Sequence, residues 1–174
     1  MNRQHYLKLV IGLPVLIFAQ LVVLNHLMIF EYFLPFLYLY PLLKMPYETG
    51  RWTLLLIAAV TGFTMDLLMN TPGLNMAATV LTVYCRRPLL TALIPDDVLE
   101  DWDEEIVPGP KTMKFFPYLM YLLVLTLLHV GVLLSLEGFS LGLFSLILPY
   151  ILGGTVFSIV LYLLFDLFSN KKEA

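Results

Sequence analysis

The chain has 174 residues, 60% of them hydrophobic and 13% charged, with a mean hydropathy of +0.86. A soluble globule of this size cannot hide that much apolar side chain from water, which excludes a soluble enzyme, a nucleic-acid binder and a disordered tail. The net charge of −3 says little for a chain lying mostly in lipid, and the single cysteine, Cys85, excludes an internal disulfide and a cysteine-based metal site.

The apolar residues come in long runs rather than in alternation, so the expected class is all-α and not a β-barrel. Six runs predict a polytopic domain of six transmembrane helices at about residues 7–27, 32–43, 52–69, 72–86, 115–136 and 139–168. Arg3 and Lys8 precede the first run as in a signal peptide. No small-x-small cleavage pattern follows, so this helix is expected to be retained. The second run, broken by Pro35 and closed by Pro41, would rise only about 18 Å as a helix. The fourth is also short, and the last can tilt or bend near Gly153-Gly154.

Charge placement supports six crossings. With that count, all ten Lys and Arg fall on one side: Arg3 and Lys8, Lys44 and Arg51, Arg86, Arg87, Lys111 and Lys114, then Lys171 and Lys172. The other side holds Glu31 and Glu137. The positive-inside rule then puts both termini in the cytoplasm, and it requires the short second run to cross. The fourth-to-fifth connection, about 88–114, is a cytoplasmic loop carrying Asp96, Asp97, Glu100, Asp101, Asp103, Glu104 and Glu105. It is either simply solvated or a docking segment anchored by Trp102.

Polar groups inside the runs are costly and therefore informative. Asp66 lies 14 residues after Trp52, His129 lies 14 after Phe115, and Gln20 lies 13 after Leu7. At about 1.5 Å per residue all three reach one layer, roughly 20 Å from the inner boundary. Asn25, His26 and Asn75 lie just above it. Equal depth permits an Asp66–His129 pair with Gln20 nearby. The alternatives are a satisfied interhelical donor for His129 and a reach to the 70–73 turn for Asp66. Asp166, near the inner end of the last run, is expected to snorkel to the interface. Ala58-x3-Gly62, Gly131-x3-Ser135 and Gly154-x3-Ser158 mark helix-packing seams, so Gly62, Gly131, Gly154 and Ser158 are candidate interface positions. No nucleophile stands beside Asp66 and His129, and no metal-binding spacing occurs, so neither a cofactor nor catalysis is expected.

The order of these features resembles the rod shape-determining protein MreD family. The matching stretch, about residues 15–90, runs Gln20-x4-Asn25, Pro35-x-x-Tyr38, Pro41 to Pro46, Gly62-Phe63-x-x-Asp66, Asn70-Thr71-Pro72-Gly73, Ala77-Ala78 and Tyr84-x-Arg86-Arg87-Pro88. The second half matches only in hydropathy and topology, and the acidic connection after Pro95 is longer and more acidic than the family pattern. The resemblance implies a non-enzymatic component of the bacterial wall-elongation machinery in the cytoplasmic (inner) membrane. Its implied partners are MreC, the actin-like MreB, the RodA glycosyltransferase and the elongation transpeptidase. It also implies a helix layout similar to the substrate-binding subunits of energy-coupling vitamin transporters. A small-molecule-binding transporter subunit is therefore the alternative function, and an intramembrane enzyme a third. The shortage of polar groups for a vitamin favours the scaffold.

Overall fold

The computed structural model describes residues 3–20, 35–95, 106–138 and 144–170. Those residues form α1 (Arg3–Ala19), α2 (Leu39–Leu43), α3 (Arg51–Met69), α4 (Leu74–Leu93), α5 (Pro110–Met113), α6 (Phe115–Gly138) and α7 (Phe144–Asn170), with no strand among them. Three helices are long and apolar enough to cross a membrane: α3, α6, and Ile147–Phe168 of α7. They mark the chain as a membrane protein.

The surface and the interior are arranged accordingly. On α3 the outward face is Trp52, Leu56, Val60, Phe63 and Leu67, while Leu54, Ala58, Thr61, Gly62, Met65 and Asp66 are buried. On α4 the buried positions are Asn75, Ala78, Thr79, Thr82, Val83, Arg86 and Leu90, spaced three and four apart. Four of the seven are polar, and the outward face carries Met76, Leu81 and Tyr84. This is amphipathicity turned inside out: the polar stripe finds partners in the bundle and the apolar stripe faces outward. Helix α4 packs between α3 and α6, and α6 packs on α7.

The α3–α4 hairpin depends on two left-handed residues. Asn70 caps α3 at φ 54° and Gly73 precedes α4 at φ 82°. Asn and Gly are the residues that adopt this conformation at least cost. Gly62 lets the two helices nearly touch, since a Cβ there would lie 2.5 Å from the Met76 Cα.

Between the helices runs the segment 35–45. Every residue from Pro35 to Leu43 is buried, yet only Leu39–Leu43 is helical. This corrects the expectation of a spanning helix over 32–43; residues 32–34 lie outside the described residues. The physical reason is composition. Pro35, Pro41 and Pro46 remove backbone donors and interrupt the ladder, so the segment cannot satisfy itself as one helix. The fourth run is corrected the other way. Helix α4 continues through Arg86, Arg87 and Pro88 to Leu93, and the predicted loop begins later. Its second half also folds: Ile106 and Met113 are buried, and the Tyr47 amide donates to the Ile106 carbonyl at 2.8 Å. Asn25, His26, the acidic residues 96–105 and Trp102 lie outside the described residues, as do 139–143 of the last run.

Candidate functional site

Irregular backbone at membrane depth must be satisfied by protein groups. The buried segment 35–45 is satisfied partly by its own turns, with the Leu39, Tyr40 and Lys44 amides donating to the Phe36, Leu37 and Tyr40 carbonyls, and at both ends by side chains from the surrounding helices. Gln20 uses both ends of its amide: Nε2 donates to the Pro35 carbonyl, and Oε1 accepts from the Leu37 amide at 2.7 Å. Ser158 Oγ accepts from the Phe36 amide at 2.9 Å and donates to the Gly154 carbonyl at 2.6 Å. The Tyr162 hydroxyl donates to the Phe36 carbonyl. At the other end, Tyr121 donates to the Leu43 carbonyl at 2.7 Å. Arg86 donates through Nε to Tyr121 and Leu43 and through Nη2 to the Met45 carbonyl.

Two polar clusters flank this arrangement. The first lies at the α3–α4 turn. Asp66 Oδ1 accepts from the Thr71 hydroxyl (2.6 Å), the Asn75 amide (2.9 Å) and Asn75 Nδ2 (3.1 Å), while Oδ2 accepts from the Met76 amide (2.9 Å). Asn75 and Met76 open α4, so Asp66 acts as an N-cap supplied by the preceding helix, where the dipole also favours its charge. Asn75 Oδ1 then accepts from the Tyr38 hydroxyl at 3.2 Å, which lies 2.9 Å from His129 Nε2. Asp66 and His129 thus belong to one network. They are not a pair: Asn75 and Tyr38 stand between them. Gln20 is not part of this cluster, because segment 35–37 takes both of its polar atoms.

The second cluster corrects the expectation for Asp166. It is 6% exposed and does not snorkel. Its Oδ1 accepts from Tyr40 at 2.8 Å and pairs with Lys44 Nζ at 2.9 Å, and its Oδ2 accepts from Tyr118. Segment 35–45 supplies Tyr40 and Lys44, so α7 and α6 grip the segment here as well.

The family-pattern residues fall on these joints. Pro35 and Tyr38 lie on the buried segment, Gly62 and Gly73 shape the hairpin, Asp66 caps α4, and Arg86 holds residues 43–45. Arg87 is exposed, with its guanidinium over the Tyr47 ring. Of the predicted packing seams, Gly62 and Ser158 serve internal contacts. Gly131 does not, since a Cβ there would meet nothing within 4 Å. It faces an apolar groove of about 920 Å³ between α4 and α6, lined by Cys85, Leu89, Ala92, Leu128, Gly131 and Ser135 among others. A smaller cavity of about 200 Å³ opens near the 70–73 turn, among Phe36, Met69, Leu74, Val130, Leu133 and Glu137.

Sequence reasoning missed Tyr40, Lys44, Tyr118, Tyr121 and Tyr162 as partners. The available signal was position: Tyr118 and Tyr121 share a face with Leu125 and His129 on α6, and Asn75, Thr79, Thr82 and Arg86 form one stripe on α4. Among the described residues no group of three His, Cys, Asp or Glu side chains gathers to hold a metal ion. The chain matches no family model, no curated protein and no solved structure.

Proposed function

We propose that this chain is a six-span, non-catalytic scaffold of the bacterial wall-elongation complex, lying in the cytoplasmic membrane with both termini inside. In this reading segment 35–45 makes the second crossing as a buried, partly irregular strand of chain rather than as a helix. The layout is then similar to that of substrate-binding subunits of energy-coupling vitamin transporters, without their ligand. An MreC-like transmembrane helix is its membrane partner, with MreB, RodA and the transpeptidase reached through that assembly.

One observation carries this reading. The polar side chains named above hold the chain's own backbone and one another, while the large groove between α4 and α6 is left open. Its lining of small and apolar residues allows close approach of another helix, which is how helices associate in lipid. The transporter-subunit alternative has the 200 Å³ cavity in its favour, which is below the about 300–1,000 Å³ usual for ligand pockets, while the 920 Å³ groove offers almost no polar groups to fix a ligand. Thr71 and Asn75 on its wall are already engaged with Asp66.

The test is copurification from detergent in the source bacterium. Gly131→Leu fills the groove without touching the interior, so the protein should stay in the membrane, lose its MreC-like partner and alter cell shape. Gly62→Leu is unsuitable, since it collides with α4. Extraction without a partner but with a stoichiometric small molecule would replace the scaffold with the transporter subunit.

A further inference from the structure

Two guanidinium groups, each over a tyrosine ring, lie at the end of the α3–α4 hairpin opposite the 70–73 turn. Arg51 opens α3, and its guanidinium carbon lies 4.4 Å from the ring centre of Tyr84 on α4. Arg87 lies three residues beyond Tyr84, so the two share a helix face. Its guanidinium carbon lies 5.4 Å from the ring centre of Tyr47, whose hydroxyl reaches Thr91 at 3.3 Å. Residues 47–51 thus run beside α4, with Arg51 of this segment over Tyr84 of α4 and Arg87 of α4 over Tyr47 of the segment. A ring face orients a guanidinium and attracts it, but it does not neutralise it.

Among the described residues neither arginine has a carboxylate partner; the ion pair found there joins Lys44 to Asp166. Glu48, the acid nearest Arg51 in sequence, directs its Oε1 to the Ile106 amide at 3.1 Å. The surroundings are those of a membrane boundary. Trp52 is 84% exposed beside Arg51, and Leu56, Leu81 and Tyr84 lie open along the hairpin. Tyrosine and tryptophan at the end of apolar helices mark the headgroup level. An anion presented there on an apolar body matches the site in both charge and polarity. Guanidinium binds phosphate in a two-pronged geometry, and rings that hold both side chains reduce the ordering cost of binding.

We propose that Arg51 and Arg87 bind the phosphate headgroup of an anionic phospholipid, with its acyl chains lying along the apolar face of the α3–α4 hairpin. This site is independent of the scaffold reading.

The test uses the full chain purified in a neutral detergent. Its unfolding midpoint is measured with added phosphatidylglycerol, phosphatidylcholine or inorganic phosphate, and retained lipid is counted by native mass spectrometry. Phosphatidylglycerol should raise the midpoint and stay bound, and the other two should not. Arg51→Gln/Arg87→Gln should weaken phosphatidylglycerol binding at least tenfold, while Lys111→Gln/Lys114→Gln keeps it. If the double glutamine variant does not fold, Arg51→Lys/Arg87→Lys keeps the charge but loses the planar fork, and lipid retention should fall several-fold. Undiminished binding by the arginine variants overturns the proposal. So does an equal loss in the Lys111/Lys114 variant, which would indicate general charge attraction, or equal protection by inorganic phosphate, which would indicate a soluble anion.

Discussion

Asp66→Leu is the sharpest test of how this bundle is held. The carboxylate is 4% exposed and accepts four hydrogen bonds, two of them from the first free amides of α4. Leucine keeps the branched skeleton, in a bulkier form, but accepts none of them. Each stranded buried donor costs about 1–3 kcal/mol. The Asn75 and Met76 backbone amides are the two at stake, because Asn75 Nδ2 also donates to Thr71 Oγ1 at 3.0 Å and the half-buried Thr71 hydroxyl can turn to water. Loss of a negative charge at the start of α4 adds about 0.3–1 kcal/mol. Partial rehydration at the turn lowers the sum, so a loss of about 2–5 kcal/mol is expected. Asp66→Asn keeps one acceptor oxygen and points its NH2 at the Met76 amide, so about 1–3 kcal/mol is expected. The assay is reversible unfolding in mixed micelles, followed by tryptophan fluorescence. If Asp66→Leu lies within about 0.5 kcal/mol of the parent, the capping account is wrong.

Other outcomes follow from the same contacts. Gln20→Leu strands the Leu37 amide and the Pro35 carbonyl, so unfolding in the same micelles should show a loss of about 1–3 kcal/mol per group. Asp166→Leu leaves Lys44 and two tyrosine hydroxyls without their acceptor and should cost about 3–5 kcal/mol. Lys44→Met, which leaves the carboxylate with Tyr40 and Tyr118, should cost less, and the reverse order would refute the cluster. Gly62→Ala, with its Cβ 2.5 Å from the Met76 Cα, should destabilise by about 1–3 kcal/mol, while Gly131→Ala should leave the midpoint unchanged. For the proposed orientation, Pro72→Cys and Lys111→Cys are made in a Cys85→Ser background. An impermeant thiol reagent on spheroplasts should label the first and spare the second.

The class of the fold was legible because lipid imposes a coarse rule: long apolar runs become helices, and α3, α6 and α7 follow it closely. Depth was legible for the same reason, since a fixed rise per residue brings Asp66 and His129 to one level. Contact was not. A rise along the axis says nothing of rotation about it, and Asn75 and Tyr38 take the space between the two. The second run misled because hydropathy scores a buried segment and a lipid-facing helix alike. Its prolines were the visible warning, and its satisfaction by Gln20, Ser158, Tyr162, Tyr121 and Arg86 is long-range. Ser158 and Phe36 are 122 residues apart, a pairing no local pattern announces.

Arg86 shows why polar residues in such a chain resist reading one at a time. Counted by sequence, it is one of ten cations on the inner side. In the structure it is 2% exposed, about two turns before the carboxyl end of α4, and it binds two carbonyls and a hydroxyl. A guanidinium can serve diverging acceptors from one side chain because its donors are spread around a rigid plane. That property suits the end of an irregular segment, where the Leu43 and Met45 carbonyls need donors from a neighbouring helix. With six crossings the nine remaining Lys and Arg would still fall on one side, so the proposed orientation does not rest on Arg86. The segment does: with Gln20 at one end and Arg86 at the other, its exposed backbone is closed off, and helices with little hydrophobic drive between them gain a fixed centre around which to pack.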